Sequence, residues 1–309
     1  MLRCILIDVT GQETELPCPV SLTLDTDEAV PADSLYAVFP YVAVAEAAGI
    51  SVYDGDKLLF SGIVDEEEHT VLNGEKDLRI SARSMAALLL DNEAMPCVYD
   101  HPSAELMRER YAAPFGIKVG DIDDAVYFGE QTVAKGSSCW NVLKNFCNAC
   151  YSCAPRLSSD GVLWLKGLRR DETIRFGENG VRYTAVRELH KRCEELSAVK
   201  IKTENPGGYD RTVSDSSAVG RGIVRVRYLN ALLTGSPMRC ADAMLINSAA
   251  KAYSVKLRCP SCLLGTEGCG AVIDDCPFDI ARGLYISALS YHLTDGSEYT
   301  DVTLKRRNN

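Results

Sequence analysis

Long apolar runs are missing from this sequence of 309 residues. The best candidate for a membrane span, YVAVAEAAGISVY, is too short and carries Glu46. The opening MLRCILIDV has one basic residue and a brief apolar stretch before Asp8, too little for a secretory leader, and reads as a strand. A glycine-rich phosphate loop, a G-x-S-x-G elbow and any low-complexity tract are also absent. Histidine is scarce, with four residues. His69, His101, His190 and His292 are scattered, and none has a nucleophile or second ligand at a telling spacing. These gaps point away from a nucleotide-binding loop and a hydrolase elbow, so no catalytic, cofactor-binding or metal-binding residue is assigned.

What is present is ordinary for a folded protein: 25% charged and 46% hydrophobic residues, on a length that allows two or three domains. The charge is uneven. Residues 1–90 hold 5 Lys and Arg against 16 Asp and Glu, residues 91–180 hold 10 against 13, and residues 181–309 hold 18 against 14. Such an acidic front third repels phosphates and argues against tight nucleic-acid binding there. Solubility alone also accounts for it.

The 13 cysteines, an odd number without a secretion signal, read as reduced and mostly buried thiols. Cys259 and Cys262 form a C-x-x-C pair, followed by Cys269 and Cys276. Zinc is best held by two such knuckles, and only the first pair has that spacing. Cys147, Cys150 and Cys153 have the start of an iron–sulfur ligand run but lack its continuation. Glu66, Glu67 and Glu68 include a potential general acid, but strand alternation divides them between faces, and a solvated edge is the better reading.

Residues 49–83 predict a three-stranded antiparallel meander: ISVY, a DGD turn, KLLFSGIVDEEEHTVL, an NG turn, and EKDLRISAR with alternating Leu78, Ile80 and Ala82. The middle strand is apolar on both faces and needs cover on both. Next comes ARSMAALLLDNEAMP, in which Ser84 caps a short helix with a stripe of Met85, Leu88 and Leu89. Asp91, Asn92 and Glu93 then form its solvated exit. HPSAELMRERYAAPFG predicts a helix starting near Pro102 and ending before Pro114, and KGSSCWNVLKNFCNACYSC a second, capped by Ser137 or Ser138. APRLSSDGVLWLKGL reads as a hairpin. Residues 181–204 are ambiguous between helix and strand, and 205–222 read as a mobile loop. After the strand IVRVRYL, CADAMLINSAAKAY predicts a helix with Ala241, Met244, Leu245 and Ser248 on one face. The strand SVKLR and a final hairpin turning at DG, 295–296, follow.

LLFSGIVDEEE, LRISARSMAALLLDNEAMP, KGSSCWNVLKNFCNACYSCAPRLSSDGVLWL and the closing GLYISALSYHLTDGSEYTDVTLKRR together resemble the Mu-like baseplate hub proteins of contractile phage tails and related prophage particles. The shared features are an F-x-G-x-V strand, a K-G-x-S-x-W-x-V-L helix and a D-G-x-L hairpin. The cysteines at 259–276 depart from the pattern. The resemblance implies an α+β, mainly β fold: a tail-tube-like β-barrel in 1–96, a small α+β domain in 97–185, and a second barrel in 186–309. It implies a homotrimer whose six barrels form a pseudo-sixfold ring between tail tube and spike, with other baseplate proteins as further partners. It also implies assembly in the bacterial host cytoplasm, no membrane, no cofactor, and DNA only in transit. The competing readings are a tail-associated cell-wall hydrolase and a zinc-stabilised binding module.

Overall fold

A computed structural model describes residues 2–202, 208–230, 237–294 and 297–306. Seven strands come first: β1 (Leu2–Asp8), β2 (Glu13–Glu15), β3 (Ser21–Asp27), β4 (Ser34–Pro40), β5 (Ala47–Asp54), β6 (Lys57–Leu72) and β7 (Glu75–Ser84). A mixed segment follows, with α1 (Ala86–Asp91), β8 (Cys97–Asp100), α2 (Ala104–Met107), β9 (Lys118–Val119), β10 (Glu130–Val133), α3 (Cys139–Tyr151), β11 (Arg156–Leu157) and β12 (Val162–Trp164). The remainder comprises β13 (Thr173–Phe176), β14 (Ala185–His190), β15 (Ala198–Lys202), β16 (Arg211–Ser214), α4 (Ser216–Gly220), β17 (Val226–Asn230), α5 (Pro237–Ala252), β18 (Tyr253–Cys259), β19 (Gly270–Ile273), β20 (Leu284–Thr294) and β21 (Ser297–Arg306).

The predicted meander is β5–β6–β7. Its second turn places Asn73 and Gly74 at φ 54° and 89°, the left-handed pair that a tight hairpin with twisted strands needs. The meander belongs to a 13-stranded sheet ordered β14-β18-β21-β20-β3-β4-β7-β6-β5-β1-β2, with β19 joining β20 and β13 joining β19. The first and last parts of the chain meet where β3 pairs antiparallel with β20. Two tail-tube-like β-barrels were expected. Among the described residues the hydrogen-bonded path is instead open, because the edges of β3 and β20 satisfy each other and the run ends freely at β14 and β2. The predicted turn at 295–296 lies outside the described residues.

Three apolar cores hold these elements. The largest takes Leu6, Leu24, Phe39, Phe60 and Ile80 from the front of the chain and Leu257, Ile286, Tyr291 and Val302 from its end. The second gathers Leu89, Met107, Trp140, Leu143 and Phe146, with Ile63 of β6 packed against it. This explains why β6 is apolar on both faces: it serves two cores. The third is Val199 and Ile201 of β15 against Ala241 and Leu245 of α5. Each fully buried aliphatic or aromatic side chain contributes roughly 1.5–3 kcal/mol.

Several local expectations change. Ser84 is not a helix cap: it ends β7, and its hydroxyl accepts from the Asp33 amide at 3.1 Å. In α1 the buried residues are Ala86, Ala87 and Leu89, while Met85 and Leu88 are half-buried. Asp91, Asn92 and Glu93 are exposed at the exit of α1, as expected, and they also fasten it. Asp91 pairs with Arg83 at 2.7 Å, the Asn92 amide donates to the Leu88 carbonyl at 2.8 Å, and Glu93 accepts from the Gly136 amide at 2.7 Å. The predicted helix after Pro102 is three short pieces: α2 capped by Ser103, a π-turn at Arg108–Ala112, and a 3₁₀ turn at Ala113–Phe115 that contains Pro114. Proline's missing amide and ring block a regular α-helix there. Helix α3 matches its prediction, including the Ser138 cap. The described part of 181–204 contains the strands β14 and β15. The stretch read as a loop, 205–222, contains β16 and α4 in its described part.

Candidate assembly face

Strand alternation divides the large sheet into two faces with different chemistry. Leu22 and Leu24 of β3, Leu35, Ala37 and Phe39 of β4, Leu78, Ile80 and Ala82 of β7, and Val302 and Leu304 of β21 turn into the core. The intervening residues form a polar face across eight consecutive antiparallel strands, β14-β18-β21-β20-β3-β4-β7-β6. Register makes it continuous. Glu66 opposes Ser81, Ser81 opposes Tyr36, Tyr36 opposes Thr23, Thr23 opposes His292, and His292 opposes Tyr299. One strand position further along, Asp25, Ser290, Asp301 and Arg258 continue side by side.

The face mixes charges. Arg83 donates to Asp65 at 2.7 and 2.9 Å and also reaches Asp91. Arg79 lies 3.5 Å from Glu68, and Arg258 holds Asp301 through two bonds of 2.7 and 2.8 Å. The Arg258 guanidinium accordingly holds the Asp301 carboxyl below the ordinary carboxylate range. A cavity of about 600 Å³ opens beside β3, β14, β18, β20 and β21, lined among others by Asp25, Asp27, Arg187, Lys256, Arg258 and Asp301. Arg187 and Lys256 stand directly opposite each other on β14 and β18, a like-charge cross-strand pair that is unfavourable by itself.

The four histidines remain dispersed. His69 contacts Glu67 at 2.7 Å, His101 contacts Asp100 at 2.5 Å, and His190 lies 3.3 Å from Glu188. His292 corrects the sequence expectation, because its Nε2 is 2.9 Å from Ser290 Oγ. The two residues are two apart on one strand and share its face, a signal that was readable from alternation alone. The proton arrangement is unlike that of an activated serine. Ser290 Oγ donates to Asp25, so toward His292 it is an acceptor, and Nε2 carries the proton. Nδ1, 3.3 Å from Thr23 Oγ1, then accepts from that hydroxyl. A base must present an unprotonated nitrogen to its nucleophile, and this one does not. Glu66, Glu67 and Glu68 divide as expected: Glu67 accepts from the Ala47 amide at 2.7 Å, while Glu66 and Glu68 lie on the polar face.

Cys259 and Cys269 point into the largest core, and Cys262 is half-buried against it. Burial pushes the Cys259 thiol up to about 12, the reverse of what a thiolate ligand needs. Cys276 is half-buried. Among the described residues no group of three or more His, Cys, Asp or Glu is placed to hold a metal ion. Cys147 belongs to the second core, with Cys150 packed against it. Cys18 and Cys193 are exposed. Iodoacetamide under native conditions should therefore label Cys18 and Cys193 first and leave Cys4, Cys147 and Cys259 unmodified until denaturant is added. Peptide mass mapping reads this directly, and early modification of Cys259 would contradict its placement in the core.

No protein-family model matches the chain, and no curated protein matches it. Solved structures do. A tail protein from Neisseria meningitidis MC58 is 15% identical, with 98% of this chain and 96% of that one covered at a TM-score of 0.76. The 43 kDa tail protein of prophage MuSo2 from Shewanella oneidensis is also 15% identical, with 98% of each chain covered at a TM-score of 0.77. An Escherichia coli component of the type VI secretion system, itself structurally similar to the bacteriophage T4 tail proteins gp27 and gp5, is 9% identical. There 100% of this chain and 77% of that one are covered at a TM-score of 0.62. The fold is thus that of phage and prophage tail proteins. No helix among the described residues is long and apolar enough to cross a membrane.

Proposed function

We propose that this chain is a structural component of a phage or phage-like tail baseplate, a hub whose three copies form a ring between the tail tube and the central spike. The observation that carries the reading is the eight-stranded antiparallel run with one polar face, one core-covered face, an open edge at β14 and a half-open one along β6 beyond Ile63. Such a run is a wall segment: it has an inside, an outside, and edges to be continued by neighbours. The likeness in fold to tail proteins supports the same reading.

In this proposal the functional units are those expected from sequence, a front barrel-like half in 1–96, a small α+β unit in 97–185 and a second barrel-like half in 186–309. Two similar halves per chain would give a trimer pseudo-sixfold symmetry, matching a sixfold tube to a threefold spike. The polar face would line the channel. Its carboxylates are interspersed with Arg79, Arg83, Arg258 and Lys256. The wall would thus hold DNA weakly through mixed charge rather than repel it through uniform acidity. Spike, tube and other baseplate proteins would be its partners, with assembly in the bacterial host cytoplasm. Electron microscopy of the protein mixed with its spike should show threefold rings with a central opening. Particles that bind the spike as single copies would overturn the reading.

The contact between Ser290 and His292 favours one alternative, a cell-wall hydrolase on the tail. The proton arrangement argues against it. Purified protein should leave the turbidity of a cell-wall suspension unchanged, and Ser290→Ala should behave identically. Clearing by wild type that Ser290→Ala abolishes would establish the hydrolase instead.

A further inference from the structure

The two ends of the polar run are complementary. At one end β14 pairs only with β18, so its outer edge is unpaired among the described residues. At the other end β6 is 16 residues long, and its β5 partner covers it only as far as Ile63. Residues 65–72 therefore pair with β7 on one side and with no described strand on the other. A free strand edge is a template for another strand, and proteins normally blunt it. The polar-face charges at the two edges differ in sign: residues 65–68 are Asp-Glu-Glu-Glu, whereas β14 presents Arg187 on that face and runs into Lys191 and Arg192, its one carboxylate, Glu188, lying on the opposite side and pairing with His190. Val71 and Leu72 remain 68% and 65% exposed, and Val186 and Leu189 of β14 are half-buried.

We infer that the acidic half of β6 in one copy joins the edge of β14 in the next copy, its carboxylates meeting Arg187 on the polar face, and so extends the sheet across the subunit boundary. The inference rests on the hub reading and specifies how copies of the chain meet. Direction supports it. Every neighbour in the eight-strand run is antiparallel, and with an even number of strands the two ends run oppositely. Copies related by rotation about an axis roughly along the strands would then place β6 antiparallel to β14, and the alternation would continue unbroken. The polar faces also align, because Glu66, Glu68 and Arg187 share one face of the run. Charge selects this joint over its competitor. Pairing β6 with β6 across a twofold axis would set carboxylates against carboxylates, which is repulsive. The acid-to-base joint also brings carboxylates toward the like-charge pair Arg187 and Lys256. Such a joint is heterologous, so it closes into a ring or propagates.

The test is charge exchange, read by light scattering and sedimentation over a concentration series. Glu66→Lys with Glu68→Lys, or Arg187→Glu with Lys256→Glu, should each weaken self-association at least about tenfold, because like charges then face each other. The chain carrying all four substitutions should regain it, since every joint is attractive again with its signs exchanged. Circular dichroism checks folding of each variant. Hydrogen exchange of the wild type gives a second reading independent of substitution: amides in 65–72 and 185–190 should gain protection as the protein associates. A wild type that stays monomeric at every attainable concentration overturns the joint. So does association indifferent to both reversals, or protection confined to other segments. Rings with the spike that survive both reversals would leave the hub reading standing and remove only this joint.

Discussion

Replacing Arg156 with alanine is expected to destabilise the protein by roughly 3–5 kcal/mol, the range for an uncompensated charge left in the interior. Arg156 of β11 and Asp33, just before β4, are 8% and 4% exposed in their side chains and form a direct ion pair. The guanidinium also donates to the Val30 carbonyl at 2.7 Å, so one side chain ties the segment around α3 to the β3–β4 connection. Ala32 of that connection already lies in the second core, which makes the pair part of the seam between two bodies of packing. Alanine would leave a carboxylate without its partner and a carbonyl without its donor. Asp33→Leu combined with Arg156→Met should recover most of the loss, because apolar replacement of both members removes the stranded charge. Urea unfolding with a constant slope measures the difference. A single variant within about 1 kcal/mol of wild type would mean that the pair is not buried as described.

The same pair has a pH signature. Burial pushes the Asp33 carboxyl up to about 6, with Arg156 pulling in the opposite direction. An ordinary aspartate titrates near ~3.9. The folded state therefore binds this proton more tightly than the unfolded chain does. The stability gained is complete below the ordinary value and is lost as pH rises through about 6. Asp33→Asn cannot titrate, so wild type should gain stability relative to that variant as pH falls across this window. A difference that stays flat would place Asp33 in a solvated setting, and a reversed one would mean that pairing with Arg156 outweighs burial.

What was legible in the sequence was local. Asn73-Gly74 announces a hairpin because only left-handed residues close that turn, and Ser138 announces α3 because its hydroxyl meets the Asn141 amide within one turn. The pairing of β3 with β20 was not legible. Thr23 and His292 are 269 residues apart, and nothing in either strand's alternation names its partner. For the same reason the two ends suggested separate barrels, whereas each strand had an open edge that the other could satisfy. The candidate face was half visible. Alternation identified Glu66 and Glu68 as sharing a side, but its extent across eight strands depends on that one long-range pairing. Ser290 and His292 were adjacent on a strand face all along. The third member, Asp25, comes from the other end of the chain.

Gly62→Ala is expected to cost at least about 3 kcal/mol, the upper end of what overpacking a filled site does. Gly62 is the glycine of the F-x-G-x-V strand, and its φ is not in the left-handed region, so backbone freedom is not why glycine stands there. Space is the reason. A Cβ at 62 would lie 2.2 Å from the Arg83 carbonyl oxygen and 2.8 Å from Phe60 Cζ. The first of these is backbone of β7, which pairs with β4 on its other side and cannot retreat. The ring of Phe60 is held in the largest core. A methyl group would therefore have to part β6 from β7 at the point where the main core and the second core meet. Gly74→Ala is the control, since nothing lies within 4 Å of a Cβ there and only its φ of 89° is strained. That variant should lose about 1 kcal/mol through backbone strain alone. Comparable losses at both positions would show that β6 and β7 are not packed as closely at Gly62 as this geometry requires, and that β6 does not lie tightly between the two cores.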